Sequence, residues 1–168
     1  MSEQFVRQFL NELDRIKKFS GSLNEQVIRE AFKDLLKAWS RQNDLFFVAE
    51  HQIDTPQKTK IYVDGAVLHT LRVPLGLWEA KDTKDDLDEE IAKKFAKGYP
   101  QENIIFENSE TAILIQNRQE VCRCSMQDTG ALHNLLTLFF AYERPEIAEF
   151  RKAVQQFQQD LPQVLEAL

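Results

Sequence analysis

The sequence predicts an α/β domain with a mixed central sheet flanked by helices. Three observations carry that class. Apolar residues recur at spacings of three and four near both ends of the chain. Between the ends lie six short runs rich in β-branched, aromatic and aliphatic residues, read as strands. One amphipathic segment separates the third run from the fourth, which gives the order α-α-β-β-β-α-β-β-β-α-α.

The first helix covers about 3–19, on the stripe Phe5, Phe9, Leu10, Leu13, Ile16 and Phe19, and Gly21 breaks it. Ser22 with Glu25 three residues on has the form of a capping box, so the second helix should start at Ser22. Its stripe runs from Val27 and Ile28 to Trp39. Strands follow at 45–53, 60–68 and 73–81, joined closely enough for an antiparallel meander. Residues 82–100 read as a helix with acids in its first turns, lysines in its last and Gly98 as its C-terminal cap. Further strands are expected at 103–108, 111–117 and 120–126. Asp128 or Thr129 can cap a helix over 130–142 that is apolar nearly all round, the mark of a core or contact helix. A last helix begins at Pro145 and should run to about 159, with Pro162 breaking or kinking it. The whole of 1–168 reads as one domain, with an N-terminal helix at 1–20, a core at 22–126 and C-terminal helices at 128–168.

The composition narrows the function. The 168 residues hold 21 Lys and Arg against 27 Asp and Glu, a formal charge of −6, which argues against a simple basic nucleic-acid binder. Nearly all of that excess sits in 82–90, where six acids accompany one lysine. The rest of the chain is close to neutral. Cys122 and Cys124 lie too close for a relaxed disulfide, so reduced thiols and a cytoplasmic location are expected. The chain has no apolar run of membrane-spanning length and no signal-peptide pattern at its start.

The residues that carry chemistry are Asp64, Glu79 and Lys81. Asp64 sits in YVDGAV, and Glu79 and Lys81 sit two apart in WEAK, so the latter two share a strand face. Charges inside strongly apolar strands are costly unless they are paired or bind a metal. Adjacent antiparallel strands could bring Asp64 beside Glu79. Two converging carboxylates suit Mg²⁺, with Mn²⁺ able to substitute, and a nearby lysine could stabilise a phosphorane or help activate water. The simpler alternative is an ion pair of Lys81 with either carboxylate.

An aspartate on one strand followed by E-A-K on the next, in this order of elements, resembles the PD-(D/E)xK nuclease superfamily. The stretch WEAKDTKDDLDEEIAKKFAKGYPQENIIFENSETAILIQN is similar to the N-terminal nuclease segment of large single-chain restriction–modification enzymes, of the type IIG and single-polypeptide type I kinds. That resemblance implies a restriction-endonuclease-like fold, Asp64 and Glu79 as metal ligands, and Lys81 as the catalytic lysine. Val63 stands where the motif often has proline. Related nucleases place a glutamate on the helix before the sheet, which makes Glu25, ahead of Glu30, a further site candidate. Gln116, at a neighbouring strand end, is another. The implied activity is Mg²⁺-dependent DNA hydrolysis by the cleavage module of a restriction–modification enzyme. The implied partners are DNA and methyltransferase or specificity modules, in some cases a helicase, in the same or a longer chain. The rival reading is a catalytically inert nuclease-like module that docks on another protein, favoured by the acidic charge and by the apolar helix at 130–142.

Overall fold

The computed structural model describes residues 2–168. Two helices open the chain, α1 (Ser2–Ser20) and α2 (Glu25–Gln42). Three strands follow, β1 (Phe46–Asp54), β2 (Lys60–Leu68) and β3 (Pro74–Ala80). After α3 (Leu87–Ala96) come β4 (Asn103–Glu107), β5 (Thr111–Gln116) and β6 (Gln119–Ser125). Helices α4 (Thr129–Phe140) and α5 (Pro145–Ala167) close it. The expected order of elements is the order found.

The six strands form one sheet in sequence order, β1 to β6. Every pairing is antiparallel except β3 with β4, where the crossover through α3 makes it parallel. The sheet is therefore mixed, and helices cover both of its faces. On one face Phe9, Phe32, Leu36, Trp39, Leu132, Leu136 and Phe139 from α1, α2 and α4 pack with Trp78, Ile105 and Leu114. On the other, Leu87 and Ile91 of α3 pack with Leu77, Ile104, Phe106 and Ile113. The central strands β3, β4 and β5 are buried on both sides, which is why their sequences are continuous apolar runs rather than alternating ones.

The structure moves several boundaries. The cap of α2 is Asn24, whose side chain accepts from Val27 N, and not Ser22. Ser22 and Asn24 are both cap-competent and the later one is used, while Glu25, the expected capping-box partner of Ser22, accepts from Thr83 instead. Residues 82–86 lie outside α3, whose N-cap is Asp86, with its side chain accepting from Glu89 N. Gly98, at φ 90°, turns the chain after α3 as expected. Helix α5 continues through Pro162 to Ala167. It buries no residue, so water can satisfy the carbonyl that Pro162 leaves free. Its apolar residues Ile147, Phe150, Val154, Phe157, Leu161 and Val164 are all exposed and repeat at alternating spacings of three and four. By contrast α4 is a core helix, with Leu132, Leu135, Leu136 and Phe139 fully buried.

Candidate active site at the end of strands β2 and β3

The site forms where the β2–β3 ladder stops. Regular pairing between these strands reaches only from Leu68↔Pro74 to Gly65↔Trp78. On the other side of β2, Glu50 takes a left-handed backbone (φ 49°) and interrupts the β1–β2 register opposite Asp64. Side chains take over the hydrogen bonds that the ladder would have supplied. Asp64 N donates to Glu79 Oε2 at 3.1 Å. Reciprocally, Ala80 N donates to Asp64 Oδ2 at 2.8 Å. Each carboxylate is thus fixed by the other residue's strand, and the two acids stand side by side. Gly65 lets this happen, since a Cβ there would lie 2.9 Å from Trp78 Cε3 and against the Phe47 ring.

Strand β4 holds the other side, where Lys81 N donates to Glu107 O at 2.7 Å and extends the parallel ladder past Ala80. The Lys81 ammonium comes back toward its own strand, 3.6 Å from Glu79 Oε1. Helix α3 completes the cluster. Its Leu87 and Ile91 face the sheet, and the adjacent stripe presents Glu90 and Lys94 to the site. Lys94 Nζ lies 2.6 Å from Glu79 Oε1, and Glu90 Oε2 lies 3.8 Å from Lys81 Nζ. The Tyr99 hydroxyl accepts from Lys94 Nζ at 2.9 Å and donates to Tyr62 O at 2.9 Å.

Burial and charge set the electrostatics. Burial pulls Lys81 below the ordinary lysine range, against the opposing pull of Glu79 and with the help of its neighbour Lys94. Burial also lowers Lys94, but its hydrogen bonds to Glu79 and Tyr99 outweigh that and hold its ammonium above the usual range. One strand over, burial raises Glu107 to about 7, against the pull of the Ser109 N–H and Arg29. Among the described residues neither Glu107 Oε1 nor the Trp78 Nε1 that also lowers this carboxyl has a hydrogen-bond partner within normal reach.

Asp64, Glu79 and Lys81 are therefore brought together. Glu25 stands at the start of α2 near the same end of the sheet, but its carboxylate is engaged by Thr83, accepting from both N and Oγ1. Gln116 lies apart. It pairs with Asn103 at the opposite end of β4 from Glu107, and its Nε2 donates to Asn103 Oδ1 and Leu138 O. Asn103 in turn donates to Leu75 O and Phe139 O, so Gln116 belongs to a buried network that ties the sheet to α4.

Two neighbours of the site, Glu90 and Glu107, were not singled out in the sequence, whereas Lys94 stood with Lys93 and Lys97 as a lysine on the helix after the site that could touch the DNA backbone or lie on a solvated face. Lys94 and Glu90 look like a solvated i,i+4 pair, and only their position after E-A-K marks them. Glu107 carried a clearer signal, an acid ending the apolar run NIIF.

An all-oxygen pair such as Asp64 and Glu79 fits Mg²⁺, which is commonly bound through one or two carboxylates with water and substrate phosphates completing its shell. Among the described residues no group of three or more His, Cys, Asp or Glu side chains is arranged around one ion position. An ion here would rest on that pair alone. Among the described residues, no helix is long and apolar enough to cross a membrane.

No family model matches the sequence, and no curated protein matches it. Among solved structures, the chain is similar to one in the cryo-EM structure of a DrdV–DNA complex, at 43% sequence identity and a TM-score of 0.83. The match covers 98% of this chain and 16% of that one, so this chain spans about one sixth of its neighbour's length. A likeness of that closeness over nearly every residue shows that the two share this mixed α/β fold.

Proposed function

We propose that this chain is the DNA-cleaving module of a restriction–modification enzyme, a Mg²⁺-dependent endonuclease domain. The observation that carries the reading is the reciprocal pair of hydrogen bonds that sets Asp64 beside Glu79, with Lys81 on the same acid. The likeness to a chain solved with DNA supports the substrate. Asp64 and Glu79 would hold Mg²⁺, or Mn²⁺ in its place. That ion, when bound, would polarise the phosphodiester and make a bound water more acidic. Lys81 would face the scissile phosphate and offset the charge that builds on it. Its lowered pKa also makes it a better proton acceptor than an exposed lysine, and so a partner for the attacking water. Glu25 would orient the loop that follows Lys81 through Thr83. DNA recognition would rest with further modules of a longer chain, including a methyltransferase or specificity module and, in some arrangements, a helicase. This fits a domain whose negative charge is concentrated in 82–90.

The test is nicking or linearisation of supercoiled plasmid with Mg²⁺ or Mn²⁺, by this domain and by the longer chain that carries it. Wild type should cut, and Lys81→Ala should not. Equal behaviour of the two proteins would overturn the assignment.

A second reading, a docking module without catalysis, draws on the exposed apolar stripe of α5 and on the Lys81–Glu79 ion pair. It loses the support expected from the helix at 130–142, which is buried as α4. Plasmid left intact by wild-type protein in both forms would favour it.

A further inference from the structure

We propose that Lys94 occupies the seat a divalent ion would take on Glu79 Oε1, and that its tether through Tyr99 to the β2 backbone sets how tightly that ion binds. The inference rests on the reading of Asp64 and Glu79 as an ion-binding pair.

Glu79 is the most enclosed acid of the cluster, with its side chain 5% exposed. Its Oε2 is taken by Asp64 N. The other oxygen, Oε1, meets two ammonium groups, Lys94 at 2.6 Å and Lys81 at 3.6 Å. Lys94 is the closer, and its position is imposed from outside the pair. The chain turns at Gly98, folds Tyr99 back under α3, and locks the phenol onto Tyr62 O. The phenol oxygen then accepts from Lys94 Nζ. Lys81 has no such tether, and its second neighbour Glu90 is shared with Lys93.

Charge balance points the same way. Asp64 and Glu79 supply two negative charges against the two of Lys81 and Lys94, while Glu90 is matched by Lys93 at 2.8 Å. A divalent ion turns that balance into an excess of positive charge. Replacing Lys94 by an uncharged side chain lowers that excess. Like charges held a few ångströms apart in a half-buried site repel appreciably. Lys94 is thus a positioning residue that holds Glu79 ready in the ion-free protein and yields Oε1 when the ion arrives.

Titration calorimetry of DNA-free protein with MnCl₂ reads this directly. Lys94→Met should bind Mn²⁺ about tenfold more tightly than wild type. Tyr99→Phe keeps the charge but removes the tether, and should shift affinity in the same direction by less. Lys94→Arg should return the wild-type value. Affinity unchanged or weakened in Lys94→Met and Tyr99→Phe, with binding still lost in Glu79→Gln, would overturn the role of Lys94 and leave the ion site standing. Mn²⁺ bound equally by wild type and Glu79→Gln would overturn the ion site itself, and no binding in any variant would overturn both. If Lys94→Met fails to fold by circular dichroism, Tyr99→Phe decides alone.

Discussion

Replacing Glu107 by glutamine should make the protein more stable, by an amount that grows as pH rises from about 4.5 and is complete above about 7. Glu107 is 1% exposed at the end of β4, and burial raises its carboxyl from the usual 4.5 to about 7. A carboxyl raised in this way binds its proton more tightly in the fold than in the unfolded chain. The fold is therefore favoured below 4.5, loses stability as pH rises through about 7, and is flat beyond. The gap between 4.5 and about 7 corresponds to about 3 kcal/mol at full effect. Glutamine keeps an oxygen for the Ser109 N–H, which now donates to Oε2 at 2.6 Å, and carries no charge to bury. Thermal unfolding of wild type and Glu107→Gln at pH 4 and pH 8.5 tests this. The two should melt together at pH 4, and Glu107→Gln should melt roughly 6–12 °C higher at pH 8.5, at 2–4 °C per kcal/mol for a chain of this size. A difference in melting temperature that is the same at both pH values would refute the reasoning, because it would have to come from packing rather than from charge.

Three other substitutions probe the parts that position the site. Gly65→Ala should cost about 1–3 kcal/mol in urea unfolding and lower Mn²⁺ affinity as well, because the new Cβ meets Trp78 and Phe47 and pushes Asp64 off Glu79. Asp128→Ala removes the side chain that caps α4 through Ala131 N and should cost about 1 kcal/mol in the same assay, with no change in ion binding. Truncation after Arg144 removes a helix that buries nothing, so the melting temperature should stay within about 2 °C of the full chain's. A larger drop would mean that α5 packs on the domain.

The fold was legible because its signals were redundant. The central strands read as continuous apolar runs, and α3 had acids before it, lysines in its last turn and Gly98 beyond. Asp64, Glu79 and Lys81 stood out as charges within apolar strands, where burial needs a reason. The parts that were not legible depend on contacts between distant residues. Asn24 rather than Ser22 caps α2, and the Glu25 carboxylate expected to complete a capping box is held by Thr83, 58 positions along the chain. Gln116 ends a strand as expected, but its amide answers Asn103 and the end of α4 rather than the acids. Lys94 shares a helix with Lys93, and sequence alone does not separate the lysine on Glu90 in solvent from the one turned inward to Glu79. Helix α5 runs past Pro162 to Ala167, where the proline's ring and missing N–H predict a break or kink.

The most direct test of the central claim is where a divalent ion sits. Anomalous scattering from Mn²⁺ in crystals of this domain with a short DNA duplex would locate it. The account predicts a peak between the carboxylates of Asp64 and Glu79, with Lys94 displaced from Glu79 Oε1. A peak elsewhere, or Mn²⁺ absent while Lys94 still holds Glu79, would contradict it.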